Sequence, residues 1–134
     1  MGFNENLYKY LITKTELTDL IEKRIFTDLN TLNTLTSVYF QTISETEEET
    51  FESQEKVLTN RTIQFDTISK LRHKAEEVAD VLRSILKNVK STDFADIEVS
   101  AVIKINRFSS SERNPKTGEE YYIETLEYII SYYQ

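Results

Sequence analysis

Three runs of alternating apolar and polar residues, with one helical run among them, constrain this chain more than anything else in it. From Thr59 to Thr67, Arg61, Ile63, Phe65 and Thr67 share one side, while Asn60, Thr62, Gln64 and Asp66 share the other. From Asp96 to Phe108, Ile97, Val99, Ala101, Ile103 and Ile105 alternate with Glu98, Ser100, Val102, Lys104 and Asn106. From Tyr121 to Tyr133, Tyr122, Glu124, Leu126, Tyr128, Ile130 and Tyr132 face away from Tyr121, Ile123, Thr125, Glu127, Ile129, Ser131 and Tyr133. A period of two marks a strand whose two faces meet different surroundings. Residues 70–88 break the rhythm. Leu71, Ala75, Val78, Leu82, Ile85, Leu86 and Val89 recur at intervals of three and four, and Lys70, Arg72, Lys74, Glu76, Glu77, Asp80 and Arg83 cover the outer side. This is an amphipathic helix, with Ser69 placed to cap it.

Shorter patterns fill in the rest. Residues 5–13 gather Leu7, Tyr8, Leu11 and Ile12 on one helical face, with Asn4 or Asn6 as a cap. A second short helix is predicted over 15–22, with Glu16 in its first turn, and Arg24 to Phe26 reads as a brief extended stretch. Asp28 to Thr36 is polar and turn-like, and Val38 to Ser44 alternates as a strand. Ser109 to Glu119 carries N-P-K-T-G, a strong turn signal, so the last two strands should form an antiparallel hairpin. The order α-α-β-β-α-β-β predicts an α+β fold. Its sheet is mainly antiparallel and four-stranded and packs on one long helix, with two short N-terminal helices and a long terminal β-hairpin. One domain over 1–134 accounts for the whole pattern. The expected core sets Leu71, Val78, Leu82 and Ile85 against Phe65, Ile103 and Tyr128.

The segment 45–57 stands apart. Glu45, Glu47, Glu48, Glu49, Glu52 and Glu55 face a single basic residue, Lys56, and Phe51 is the one large apolar side chain before Val57. Burying unpaired carboxylates forfeits their hydration, so this stretch must meet water or a basic partner. It reads as an exposed loop or a hairpin arm.

Equipment for chemistry is scarce. With no cysteine there is no disulfide framework and no thiolate metal site. Two glycines cannot build a phosphate-cradling loop. His73, the sole histidine, lies between Arg72 and Lys74 on the predicted solvent side of its helix, where a surface role outweighs that of a catalytic base. The acidic stretch lacks the spacing and turn glycine of a calcium loop. An enzyme working with carboxylates alone would need two converging acids, and Asp66 is the first to inspect. No cofactor and no metal site is expected. A net charge of −7 argues against general nucleic-acid binding. No run approaches the apolar length of a membrane span, and no signal sequence is evident, so the chain reads as soluble and intracellular.

What remains points to assembly. Arg61, Arg107 and Arg113 are strand-associated arginines of the kind enriched at interfaces. Tyr121, Tyr122, Tyr132 and Tyr133 put aromatics on both faces of one strand, which in a small domain suggests that another chain covers a face or an edge.

The order of segments resembles the tail terminator, or tail completion, proteins of long-tailed bacteriophages. The matching stretches are L-x-x-L-I-x-x-R-I-F from Leu17 to Phe26, S-V-Y-F-Q-T-I-S from Ser37 to Ser44, R-T-I-Q-F-D from Arg61 to Asp66, A-E-E-V-A-D-V-L-R-S-I-L from Ala75 to Leu86, and the last strand pair. Together they span nearly the whole chain. The resemblance implies a structural virion protein, not an enzyme. It would form a hexameric ring at the head-proximal end of the tail tube, stop tube polymerisation and join the tail to the head connector. Implied partners are copies of itself, the major tail tube protein and a head-completion or stopper protein, with DNA passing unbound through the lumen and no membrane. The implied location is the virion, assembled in the bacterial cytoplasm. Arg61, Arg107, Arg113 and the four tyrosines are then the expected interface. Glu45, Glu47, Glu48, Glu49, Phe51 and Glu52 are the expected partner-facing or lumen arm. Another neck or tail-tube component is the alternative.

Overall fold

The computed structural model describes residues 2–27, 35–48 and 57–133. Two N-terminal helices, α1 (Phe3–Ile12) and α2 (Thr15–Ile21), lead into a two-residue strand β1 (Ile25–Phe26). Strands β2 (Ser37–Glu48) and β3 (Leu58–Ser69) follow, then helix α3 (Arg72–Lys87) and the pair β4 (Glu98–Arg113) and β5 (Glu120–Tyr133). The fold is α+β, as the alternation requires. The sheet has five strands rather than four, in the order β1-β2-β3-β5-β4. The fifth is β1, which pairs in parallel with Val38 and Tyr39 of β2. All other pairings are antiparallel.

One core lies between the sheet and the helices. Leu7, Leu11, Leu17 and Ile21 from α1 and α2 join Val78, Leu82 and Leu86 of α3 against Phe40, Phe65, Leu126, Tyr128 and Tyr132 of the sheet. The three helices therefore share one face of the sheet. α1 begins at Phe3, earlier than its periodicity suggests, because Phe3 stacks on Tyr132 with ring centroids 5.0 Å apart. Asn6 is no cap. It is buried within α1, and its Oδ1 accepts a hydrogen bond from the Ala95 amide at 3.2 Å, tying α1 to the segment before β4. A smaller cluster of Tyr39, Ile68 and Tyr121, with Phe26 and Ile123 against it, forms on the opposite face.

Several expectations need correction. Leu71 does not pack in the core. It is 49% exposed and extended at the N-cap position of α3, so the buried stripe starts at Ala75. Ser69 accepts from the Leu71 amide at 3.2 Å and is not itself the N-cap. Ile103 is also outside the core, 53% exposed, and Ile105 is 47% exposed. The cause is local. The β4–β5 register slips between Val99 and Ala101 and again between Lys104 and Asn106. Each slip inserts a residue and moves the following side chains to the other face. Val99 and Val102 thus sit opposite Tyr132 and Ile130, which face the helices, while Ile103 sits opposite Ile129 on the far face. β4 also runs on to Arg113, leaving a hairpin turn shorter than Ser109–Glu119. Finally, of the two readings of the acidic stretch, Glu45 to Glu48 follow the hairpin arm and not the loop: they are the exposed end of β2, paired with Arg61 to Leu58 of β3. Glu49, Phe51, Glu52, the rest of the acidic stretch and the polar turn at 28–34 lie outside the described residues.

Candidate assembly surface

Two arginines anticipated at an interface are held by the chain itself. Arg61 sits mid-sheet on the helix side. Its Nε donates to the Tyr132 hydroxyl, Nη1 to Thr42 Oγ1 and Nη2 to Glu45 Oε2, each at 3.1 Å. Its guanidinium lies 4.6 Å over the Phe3 ring. Arg107 bridges three elements: Nε donates to Glu124 Oε2 at 3.2 Å and Nη1 to Asp80 Oδ1 at 2.7 Å. Burial pulls the Arg107 pKa down, but the hydrogen bonds and charges of Asp80 and Glu124 outweigh it and hold it above its ordinary value. Ser109 Oγ donates a further hydrogen bond to Glu124 Oε1. Arg113 is exposed near the hairpin turn, opposite Glu120.

The tyrosines divide the same way. Tyr132 lies inside the core at 1% exposure. Tyr121 is buried in the far-face cluster and donates its hydroxyl to Glu112 at 3.0 Å. Burial raises its pKa, and the Glu112 carboxylate adds to the shift. Tyr122 lies beneath the Arg72 guanidinium, 4.6 Å from its ring centroid. Tyr133 lines a shallow depression of about 500 Å³ with Ser91, Asp96 and Glu98.

Asp66 lies in a far-face groove of about 340 Å³, with Gln64, Phe108, Glu112 and Ile123 among its walls. Its Oδ1 accepts from Thr125 Oγ1 at 2.7 Å and Oδ2 from Gln64 Nε2 at 3.1 Å. Glu112 shares the groove, but it accepts from Tyr121. Both acids are thus held by neutral donors of the fold. Among the described residues no cluster of three or more His, Asp or Glu could hold a metal ion, and no helix is long and apolar enough to cross a membrane.

The surface left over is along the two edges of the sheet. β2 beyond Tyr39 has no outer neighbour among the described residues, and β4 pairs only with β5. Of the exposed large apolar side chains, Ile43 is on β2 and Ile103, Ile105 and Phe108 are on β4. Sequence reasoning missed these four. Adjacent Val102 and Ile103 offered the signal, since two neighbouring apolar residues in a strand address both faces.

These elements define a single-sheet α+β protein, helices on one face, with two strand edges open among the described residues. No protein-family model and no curated protein sequence matches the chain. Among solved structures, a chain of the particle described as the virion of native gene transfer agent (GTA) particle has a similar fold, with a TM-score of 0.61 and 9% identity. The match covers 98% of this chain and 95% of that one, so the whole fold is shared and not one motif.

Proposed function

We propose that this chain is a structural component of a phage-like virion, and specifically the ring that closes the head-proximal end of a tail tube. The observation that carries the reading is the end-to-end fold likeness to a chain of a virion particle. The segment order that resembles tail terminator proteins supports it. So does the distribution of binding groups, which favours edges and flat faces over an enclosed, chemically armed pocket. In this reading six copies close head to tail, one side of the ring meets the tube protein and the other meets the stopper protein of the connector. A net charge of −7 suits a ring through which DNA slides without being held. Ring, partners and virion location stand or fall together.

The test is reconstitution with the tube protein of the same particle. Growing tubes should stop when this protein is added, and electron cryomicroscopy should show one sixfold ring at one tube end. A protein that stacks on itself into tubes would instead be a tube component, and one that binds only the connector a different neck protein.

A further inference from the structure

We infer that the two open edges of the sheet are the two halves of one self-contact: the acidic outer edge of β2 in one copy adds to the basic outer edge of β4 in the next. This rests on the ring reading and assigns its interface.

Four observations converge. First, the edges are on opposite sides of the sheet and run in opposite directions, since each of the three junctions from β2 to β4 is antiparallel. A neighbour in the same orientation therefore sets its β2 antiparallel to this β4, and the alternation continues across the boundary. A patch that meets a different patch on an identical neighbour is the kind of contact that closes rings. Second, the edges differ in charge. The free part of β2 ends in Glu45, Glu47 and Glu48, whereas β4 from Ser100 to Phe108 carries Lys104 and Arg107 and no acid. Glu45 is also paired to Arg61, and Arg107 to Asp80 and Glu124, within the chain, which leaves Glu47 and Lys104 as the free charges. Neither Glu47 nor Lys104 has an ion-pair partner among the described residues. Third, the faces agree. Lys104 and Arg107 lie opposite Tyr128 and Leu126 on the helix side, and Glu45 and Glu47 lie opposite Arg61 and Thr59 on that same side. Fourth, Ile43, Ile103, Ile105 and Phe108 cluster on these same two strands. Exposed apolar side chains on unpaired edges are what a partner strand covers.

One register joins the free charges while keeping the strand direction and the faces. Lys104 sits opposite Glu47, Asn106 opposite Thr46, Arg107 opposite Glu45 and Phe108 opposite Ser44, with Ile105 in the bulge. Each pair then shares a face, as cross-strand neighbours must. Within one copy Phe108 is in line with Tyr39, through Thr125 and Asp66. Meeting Ser44 of the neighbour instead staggers successive copies along the strand. Closing a sheet on itself requires such a stagger.

The chain has no cysteine, so introduced thiols report unambiguously. Opposed positions on paired antiparallel strands are close enough for a disulfide. Ser44→Cys and Phe108→Cys are made singly and together. Each single variant alone should give no crosslinked dimer, their mixture should give a heterodimer, and the double variant should give a ladder ending in a closed ring. In parallel, Lys104→Glu and Glu47→Lys should each weaken self-association about tenfold or more, and the double reversal should restore it. Circular dichroism checks that every variant is folded. If rings form but neither the crosslink nor the charge swap has an effect, edge pairing is wrong and the ring reading survives. If no ring forms even at a tube end, both fail. A crosslink from Ser44→Cys to the tube protein in place of the Phe108→Cys copy would overturn the assignment to a second copy.

Discussion

β4 and β5 are the two arms of one hairpin, and the fold treats them oppositely. β5 lies between β3 and β4, and Leu126, Tyr128, Ile130 and Tyr132 are all buried. Among the described residues β4 has one neighbour and keeps Ile103, Ile105 and Phe108 in the open. Both read as alternating apolar strands. The difference teaches that position in the sheet, not strand propensity, decides where apolar area is removed from water. It also separates residues that hold the chain together from residues available to a partner.

The sharpest way to break the comparison is to cut the covered side. Leu82, fully buried in α3, should cost about 2–5 kcal/mol when changed to Ala, measured by urea unfolding. A loss of under about half a kcal/mol would mean that α3 does not seat on β5 as described.

Arg107 tests the seam between the two arms. Arg107→Ala removes the charged partner of Glu124, whose side chain is 5% exposed and keeps the Ser109 hydroxyl, and should cost about 1–3 kcal/mol. Adding Glu124→Gln should recover a large part of that loss, and a double-mutant cycle measures the coupling.

A third test uses pH. Tyr10, Tyr121 and Tyr128 all have pKa values raised above the ordinary 10.0, chiefly by burial. For Tyr128 the nearby Arg83 and Arg107 charges oppose that rise without cancelling it. A phenol held neutral in the fold ionises first in the unfolded chain. Its contribution is therefore intact below about pH 10 and is lost as pH rises through the folded value. The melting temperature should fall steeply above pH 10, and less steeply in Tyr10→Phe/Tyr128→Phe.

The smallest effect is expected on the open arm. Ile103→Ser should change the stability of the free chain by no more than about 0.5 kcal/mol, while reducing self-association in sedimentation. A large stability loss would show that β4 contributes to the fold as β5 does.

Much of this architecture was legible because Phe65, Leu126 and Leu82 lie in regular elements where period and burial agree. The β4 faces were not, since bulges near Ser100 and Ile105 come from pairing with a distant strand and leave no glycine or proline in β4 to announce them. For Glu45 to Glu48 the sequence could not choose between loop and hairpin arm. Their charge says they must stay hydrated, and an edge strand satisfies that as well as a loop does. β1 is two residues long and takes its identity from β2 alone. Of the anticipated interface residues, Arg61 and Tyr132 could not be recognised as mutual partners from a sequence separation of 71. The exposed apolar set on β4 became visible only once its register was known.

The irregular pairing of β4 has a consequence for how the protein behaves while it waits. A flat, regular edge would be a generic template on which any extended segment could nucleate a fibril. β4 departs from regularity at two places, and β2 at one, between Thr42 and Ser44. A strand that docks here must accommodate a residue set out of the ladder, which a long regular strand does less well than a short one. Bulges of this kind are among the devices that make an exposed apolar edge a poorer template for indiscriminate pairing.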